Sequence, residues 1–216
     1  MKYISICIPS YNRPDGLLFL LNSIDPLLSD ELEVVICEDK SPKRIEVREA
    51  VRLFKASSKL NIRYFENEQN LGYDKNLREL ISKAEGEFVI FMGDDDAFGV
   101  GGLGNFINFI KEYRHLGYIM KTHTFIHQDD KEELFKYFDY NVFYDPSETT
   151  VATLFRKSVF ISGFTFRRSL AVPYLTDIFD GTLLYQIYLL SEICINYSSA
   201  YCTIPLTVQS ANRREV

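Results

Sequence analysis

The first half of the chain alternates short, unbroken apolar runs with segments in which apolar residues recur at helical spacing. The apolar runs predict strands at residues 4–8, 32–37, 62–65, 88–92 and 118–122. The segments between them predict helices at residues 14–28, 41–54, 74–84 and 103–113. Pro14 suits a first helical turn, and Ser41-Pro42 suits an N-cap followed by the first helical residue.

This order predicts an α/β fold with a mostly parallel, Rossmann-like nucleotide-binding sheet and helices on both faces. Ligands of such sheets bind beyond the carboxyl ends of the strands. The loops that follow the first four strands are rich in polar and turn residues, and they cover residues 9–14, 38–42, 67–73 and 93–98. We therefore expect these loops to meet at one crevice.

The alternation weakens after Phe125. The pattern predicts a surface loop or short helix at residues 128–136, helices at 145–158 and 183–198, and strands at 162–166 and 201–204. No repeat and no Pro/Gly/Ser-rich linker interrupts the chain. We expect a single domain over residues 1–216, with a nucleotide half at 1–122 and a smaller second half at 123–216. The sequence ends on a polar tail soon after Leu206, which leaves a C-terminal truncation open.

Bulk composition narrows the class of protein. Hydrophobic residues make up 46% of the chain, and the net charge of −6 argues against nucleic acid, whose phosphates need a basic surface. No run reaches the ~18 apolar residues of a membrane span, and Met1 is not followed by a signal peptide pattern. The 4 cysteines form no Cys-x-x-Cys pair, which predicts reduced thiols and a cytoplasmic location.

Three adjacent carboxylates, Asp94, Asp95 and Asp96, follow the apolar run 88–92 and Gly93. Carboxylates clustered in this way repel one another unless a cation neutralises them, and hard oxygen ligands suit Mg²⁺ or Mn²⁺ together with a phosphate. An acidic surface turn that caps the next helix is the alternative. No glycine-rich phosphate loop is present, so dehydrogenases of the Rossmann type and P-loop NTPases are disfavoured.

Four motifs then resemble one family. In chain order they are IPSYNR at 8–13, EDKS at 38–41, NLGYxxN at 70–76 and GDDD at 93–96. Over roughly residues 1–120 the chain resembles the family 2 glycosyltransferases of GT-A fold. The resemblance implies inverting transfer of a sugar from a nucleotide-diphosphate donor, favouring UDP- or dTDP-sugars, with Mg²⁺ or Mn²⁺ as cofactor.

The resemblance also implies roles for single residues. Donor-binding roles fall on Pro9, Tyr11, Arg13, Asp39, Gly72, Asn76, Asp94 and Asp95, and the metal role falls on Asp96. Asp39 would accept a hydrogen bond from the imino N–H of uracil or thymine, while helix capping is its alternative role. Asp94 or Asp95 would bind the ribose. The family often has an acid where Gly93 stands, so the identity of the direct metal ligand is open by one position.

An inverting transfer needs a base on the acceptor side. Asp180 is our candidate, because it precedes an apolar helix as the family's acid pair does, although Phe179 stands where a glutamate is expected. Asp177 and Glu192 are the other candidates, and N-capping of the helix is the alternative role for Asp180.

The expected acceptor is a hydroxyl of a glycan or a lipid-linked sugar, as in cell-surface polysaccharide biosynthesis. The aromatic segments at 135–138 and 143–144 suggest peripheral association with the inner membrane face. Packing in the protein core is their alternative role. Two other functions compete: a nucleotide-sugar binding module without turnover, and a sugar-phosphate nucleotidyltransferase. The latter is disfavoured because loop 9–14 contains no glycine.

Overall fold

The structure is a computed structural model that describes residues 2–210. The strands are β1 (Ile4–Ser10), β2 (Leu32–Glu38), β3 (Asn61–Glu66), β4 (Phe88–Phe91), β5 (Ala97–Phe98), β6 (Tyr118–Ile126), β7 (Glu132–Phe135), β8 (Val142–Tyr144), β9 (Phe164–Arg167) and β10 (Ser199–Ser210). The α-helices are α1 (Pro14–Asn22), α2 (Arg44–Ser57), α3 (Tyr73–Lys83), α4 (Gly102–Glu112), α5 (Glu148–Leu154), α6 (Arg168–Ala171) and α7 (Tyr185–Asn196). Short 3₁₀ helices lie at Pro26–Leu28, Phe155–Ser158 and Val172–Tyr174.

One sheet runs through both halves of the chain in the order β3-β2-β1-β4-β9-β6-β10-β5, with β7 on β6 and β8 on β10. The strands β3, β2, β1 and β4 are parallel, as the sequence predicts. The strand β9 is antiparallel to both of its neighbours, β4 and β6. The second half of the chain therefore completes the middle of the sheet.

Two apolar layers cover the two faces of the sheet. Alternate residues of a strand point to opposite faces, so Ile4, Ile6 and Ile8 pack with α1, α2 and α4, whereas Cys7 packs with α3 and α7. Burial on both faces explains why β1, β2 and β4 are continuous apolar runs. All 4 cysteines are buried and unpaired, in agreement with the prediction of reduced thiols.

The prediction for residues 128–136 is wrong, because they contain the strand β7, which pairs antiparallel with β6. All residues of β7 are exposed and several are charged, which is common for an edge strand and removes the alternation by which strands are recognised. The short strands β5 and β8 were not predicted. None of the helices within residues 2–210 is both long and apolar enough to cross a membrane.

The start of α2 also differs from the prediction. The helix begins at Arg44 with Lys43 as N-cap, and Ser41 is not the cap. The backbone N–H groups of Lys40 and Ser41 instead donate to the carboxylate of Glu38, at 3.0 and 2.7 Å. This tight turn after β2 delays the helix and holds the loop in place.

Candidate functional site

The four loops that follow β1 to β4 meet at one pocket of about 550 Å³, which we call the donor pocket. Its lining comprises Pro9, Ser10, Tyr11, Asn12, Arg13, Asp39, Asn70, Gly72, Tyr73, Asn76, Gly93, Asp94, Asp95 and Ile161. The pocket lies at the carboxyl ends of parallel strands, where α/β sheets bind ligands. All eight of the predicted donor-binding residues thus line one pocket.

Asp39 is the most tightly held acid of this pocket, with 4% of its surface exposed. Its Oδ1 accepts from Asn67 Nδ2 at 2.9 Å and from the N–H of Leu71 at 2.8 Å, and its Oδ2 accepts from the N–H of Gly72 at 2.9 Å. Each carboxylate oxygen has about two acceptor positions, so Oδ2 keeps one for a donor in the pocket. Asp39 therefore holds loop 67–73 while it lines the pocket.

Asn76 and Gly72 support the same loop. The side chain of Asn76 accepts from Asn67 Nδ2 at 3.1 Å and donates to the carbonyl of Cys37 at 3.1 Å. Gly72 has φ of 75°, and a Cβ there would meet nothing within 4 Å. The glycine is thus required by its left-handed backbone, and its N–H reaches Asp39 as a result.

Asp94 joins the acid triplet to the loop after β1. Its carboxylate accepts from the N–H of Tyr11 at 3.0 Å and from Arg13 Nη1 at 3.1 Å. Arg13 Nη1 also lies 3.2 Å from Asp95 Oδ2, which makes an ion pair. Burial raises the pKa of Asp94 to about 6, while Tyr11 and Arg13 act in the opposite direction. Arg13 thus partly neutralises two neighbouring acids.

Asp96 lies behind the pocket wall, with 4% of its surface exposed. Its Oδ2 accepts from the hydroxyl of Ser162, which itself accepts from the N–H of Gly93 at 2.9 Å. A Cβ on Gly93 would lie 2.9 Å from Asp95 Oδ1 and 3.5 Å from Asp96 Oδ2. Two carboxylates and the hydroxyl of Ser162, at 3.2 Å, therefore border a narrow space beside Gly93.

The donor chemistry of that space suits a hard divalent cation, because two carboxylates and one hydroxyl oxygen border it. Within residues 2–210, no group of three or more His, Cys, Asp or Glu side chains is arranged to hold a metal. A cation here would need further oxygen ligands, such as those of a diphosphate or water.

Asp180 does not line the donor pocket. It lies on the loop before α7, where Arg78 of α3 binds both of its carboxylate oxygens. This hydrogen bonding lowers the pKa of Asp180 below its usual range. Asp180 is also not the cap of α7, because the buried Asp74 accepts from the N–H groups of Leu183 at 2.9 Å and Tyr185 at 3.1 Å. The alternative role of N-capping is therefore wrong for Asp180.

A second cleft of about 550 Å³ adjoins the donor pocket, and Tyr73 and Ile161 line both. We call it the acceptor-side cleft, and its other lining residues are His123, Phe135, Tyr137, Arg156, Lys157, Val159, Phe160, Leu183, Gln186 and Gln209. Burial and, second to it, the nearby charge of Lys121 lower the pKa of His123 to about 4. The imidazole is thus neutral at physiological pH.

Sequence reasoning missed Ser162, Asp74 and the acceptor-side cleft. Ser162 follows Asp96 by 66 residues and Asp74 precedes Leu183 by 109, so no local pattern signals either contact. The aromatic segments contribute partly exposed rings: Phe135 is 40% and Phe143 48% exposed, although each packs on other rings.

Known proteins resemble this chain in both sequence and structure. The abequosyltransferase RfbV of Salmonella typhimurium is 34% identical over 100 residues, which is 46% of this chain and 30% of that protein. The poly(ribitol-phosphate) β-N-acetylglucosaminyltransferase TarS of Staphylococcus aureus is 32% identical over 117 residues, which is 52% of this chain and 20% of that protein. The chain therefore spans less than a third of either relative.

Solved structures show the same fold over nearly the whole chain. S. aureus TarS 1–349 in complex with UDP-GlcNAc superimposes with a TM-score of 0.72 at 20% identity, covering 97% of this chain and 58% of that one. The mannosyltransferase PcManGT of Pyrobaculum calidifontis, in complex with GDP-Man and Mn²⁺, gives a TM-score of 0.70 at 16% identity, covering 98% and 58%. The fold is thus the GT-A type that the sequence predicts.

The family model described as glycosyl transferase family 2 matches residues 5–171, a range that contains the donor pocket and most of the central sheet. On this match the chain belongs to glycosyl transferase family 2.

Proposed function

We propose that this chain transfers a sugar from a nucleotide-diphosphate donor to a hydroxyl of a glycan or lipid-linked acceptor, with inversion at the anomeric carbon. Family membership supports sugar transfer and removes the nucleotidyltransferase alternative. UDP- and dTDP-sugars are the donors we favour. A cytoplasmic location, peripheral membrane association and the two-half organisation of residues 1–122 and 123–216 stay predictions.

The observation that carries the proposal is the free acceptor position on Asp39 inside the donor pocket. A buried carboxylate that is already fixed by three donors can accept the imino N–H of uracil or thymine without having to reorient. Adenine and cytosine carry no imino N–H and would need other partners at this position. Pro9 and Tyr11 line the same pocket and would pack beside the base.

We further propose that Mg²⁺ or Mn²⁺ assists the reaction, held by Asp96 and Asp95 across the space at Gly93 together with the donor diphosphate. When bound, the cation would supply Lewis-acid stabilisation of the charge that develops on the departing diphosphate. Asp94 would contact the ribose from its fixed position beside Tyr11. A solved structure of the same fold has Mn²⁺ with its nucleotide sugar, which supports this assignment.

In the proposed transfer, the acceptor oxygen bonds to the anomeric carbon while the bond from that carbon to the diphosphate oxygen breaks. The electron pair of that bond leaves with the diphosphate, and the hydroxyl proton passes to a base. Asp180 stays our proposed base. Its link to Arg78 ties it to α3, the helix whose first turn lines the donor pocket.

One observation favours a second function, a binding module without turnover. No carboxylate lines the acceptor-side cleft among the described residues, and Asp180 is engaged by Arg78. Donor hydrolysis separates the two functions, since a module would bind the nucleotide sugar and leave it intact.

The proposal is tested by thermal shift with UDP, dTDP, GDP and CDP, each in Mn²⁺ and in EDTA. We expect UDP and dTDP to raise the melting temperature in Mn²⁺, and much less in EDTA. Equal shifts in EDTA would exclude the metal role, and a preference for CDP over UDP would exclude the role of Asp39 as acceptor of an imino N–H.

A further inference from the structure

The acceptor-side cleft has a charge unlike that of the chain as a whole. The sequence carries 30 acidic and 24 basic residues, yet the charged residues that line this cleft are Arg156 and Lys157, with no acid. A cleft lined by one sign of charge concentrates ligands of the opposite sign. Its ligand is therefore expected to be anionic.

Neither cation of the lining is neutralised by the protein. Within residues 2–210, no carboxylate lies within ion-pair distance of Arg156 or Lys157. Lys157 Nζ donates to the carbonyl of Thr153 at 2.6 Å and lies 5.8 Å from the Tyr137 ring centre. Arg156 is exposed, and no group within the described part of the chain holds its guanidinium by a hydrogen bond or an ion pair. Guanidinium groups bind phosphate and carboxylate through two parallel hydrogen bonds.

The rest of the cleft suits a sugar. The ring centres of Phe135 and Phe160 lie 4.8 and 5.2 Å from that of His123, so the three rings form one aromatic cluster in the cleft. Gln186, at the start of α7, donates to the carbonyl of Val159 at 3.0 Å, while its Oε1 has no hydrogen-bond partner. The cleft thus combines two cations, aromatic faces and a neutral amide.

We propose that the acceptor-side cleft binds a glycan acceptor that carries a phosphate or carboxylate group, which Arg156 and Lys157 contact. The inference rests on the proposed function, because the cleft adjoins the donor pocket through Tyr73 and Ile161. The anionic group anchors the acceptor and takes no part in the bonds that form or break.

The test measures sugar binding by saturation-transfer NMR on the full chain with UDP and Mg²⁺ present, so that the donor pocket is filled. The probes are glucose, glucose 6-phosphate and glucuronate. We expect both anionic sugars to bind at least about tenfold more tightly than glucose, since hydrogen bonds to charged groups are the stronger ones. The ratio between the two anionic sugars distinguishes phosphate from carboxylate.

Two double variants of equal net charge provide the comparison. Arg156→Gln with Lys157→Gln should abolish the preference for anionic sugars, whereas Lys55→Gln with Lys59→Gln, exposed on and after α2, should retain it. UDP affinity should be unchanged in both. Equal binding of glucose, no saturable binding of either anionic sugar, or an equal loss in the control would overturn the inference. Failure of the unaltered chain to bind UDP would instead overturn the proposed function.

Discussion

At the scale of single residues, the donor pocket depends on what Gly93 lacks. Two carboxylates border the position that its side chain would occupy, at 2.9 Å for Asp95 Oδ1 and 3.5 Å for Asp96 Oδ2. The sequence identifies the acid triplet but does not determine which of two adjacent aspartates is the direct metal ligand. The identity of the metal ligand depends on which carboxylates turn toward Gly93. Arg13 and Ser162, which are distant from the acid triplet in the sequence, contact Asp95 and Asp96 and orient them.

Gly93→Ala should displace the carboxylate of Asp95, because the new Cβ would lie 2.9 Å from its Oδ1. The fold should stay intact, since the backbone of Gly93 does not adopt a positive φ. We expect affinity for UDP with Mn²⁺ to fall about 10–100-fold, the range seen when the surroundings of metal ligands are altered. Isothermal titration measures this. The matched control is Gly104→Ala in α4, where the new Cβ would come no closer than 4.0 Å to Leu28. An unchanged affinity in Gly93→Ala would contradict the metal assignment.

Asp39→Asn separates two roles of one side chain. The amide cannot accept at every position that the carboxylate uses, so UDP affinity should fall by about 1–3 kcal/mol. Pyrophosphate with Mg²⁺ carries no base, and its affinity should stay the same. If calorimetry shows equal losses for both ligands, Asp39 acts only by holding loop 67–73.

At the scale of elements, the contact between α3 and α7 organises the acceptor side. Asp74 caps the start of α7, Leu183 adopts φ of 61° there, and Arg78 binds Asp180. Non-glycine residues with positive φ are uncommon and cluster at functional sites. The chain pattern predicts both helices but not their contact, because periodicity reports which face is buried and not against which partner.

The proposed base is tested by a pair of variants across this contact. Asp180→Asn should lower turnover about 10²–10⁴-fold with donor affinity unchanged, as expected for loss of a general base. Arg78→Gln removes the partner and keeps the carboxylate, so turnover should largely persist. Steady-state kinetics that show the same small loss in both variants would assign Asp180 to the ion pair alone, and Asp177 and Glu192 would be tested next.

At the scale of the whole molecule, one sheet unites the two halves. The parallel strands β1 to β4 could be predicted because each contains a mostly apolar run bounded by turns. The place of β9 between β4 and β6 could not, because strand order depends on pairing between distant segments. Phe166 of β9 is fully buried, with its ring centre 5.3 Å from that of Phe91 in β4.

Phe166→Ala should therefore destabilise both halves at once. We expect the free energy of unfolding to fall by about 3–5 kcal/mol, with circular dichroism and loss of UDP binding following one urea transition. Phe143→Ala, whose ring is 48% exposed, is the control and should cost about 1 kcal/mol. Two separate transitions in Phe166→Ala would mean that the halves unfold independently.

The antiparallel strand β9 also constrains how the protein is made. During synthesis, β4 leaves the ribosome well before residues 164–167, so its edge keeps unpaired N–H and C=O groups on the growing chain. The segment that closes this edge also delivers Ser162, the hydrogen-bond partner of Asp96. We therefore expect a nascent chain that ends before β9 to be prone to aggregation. Its acid triplet acquires its final geometry only when translation has passed β9.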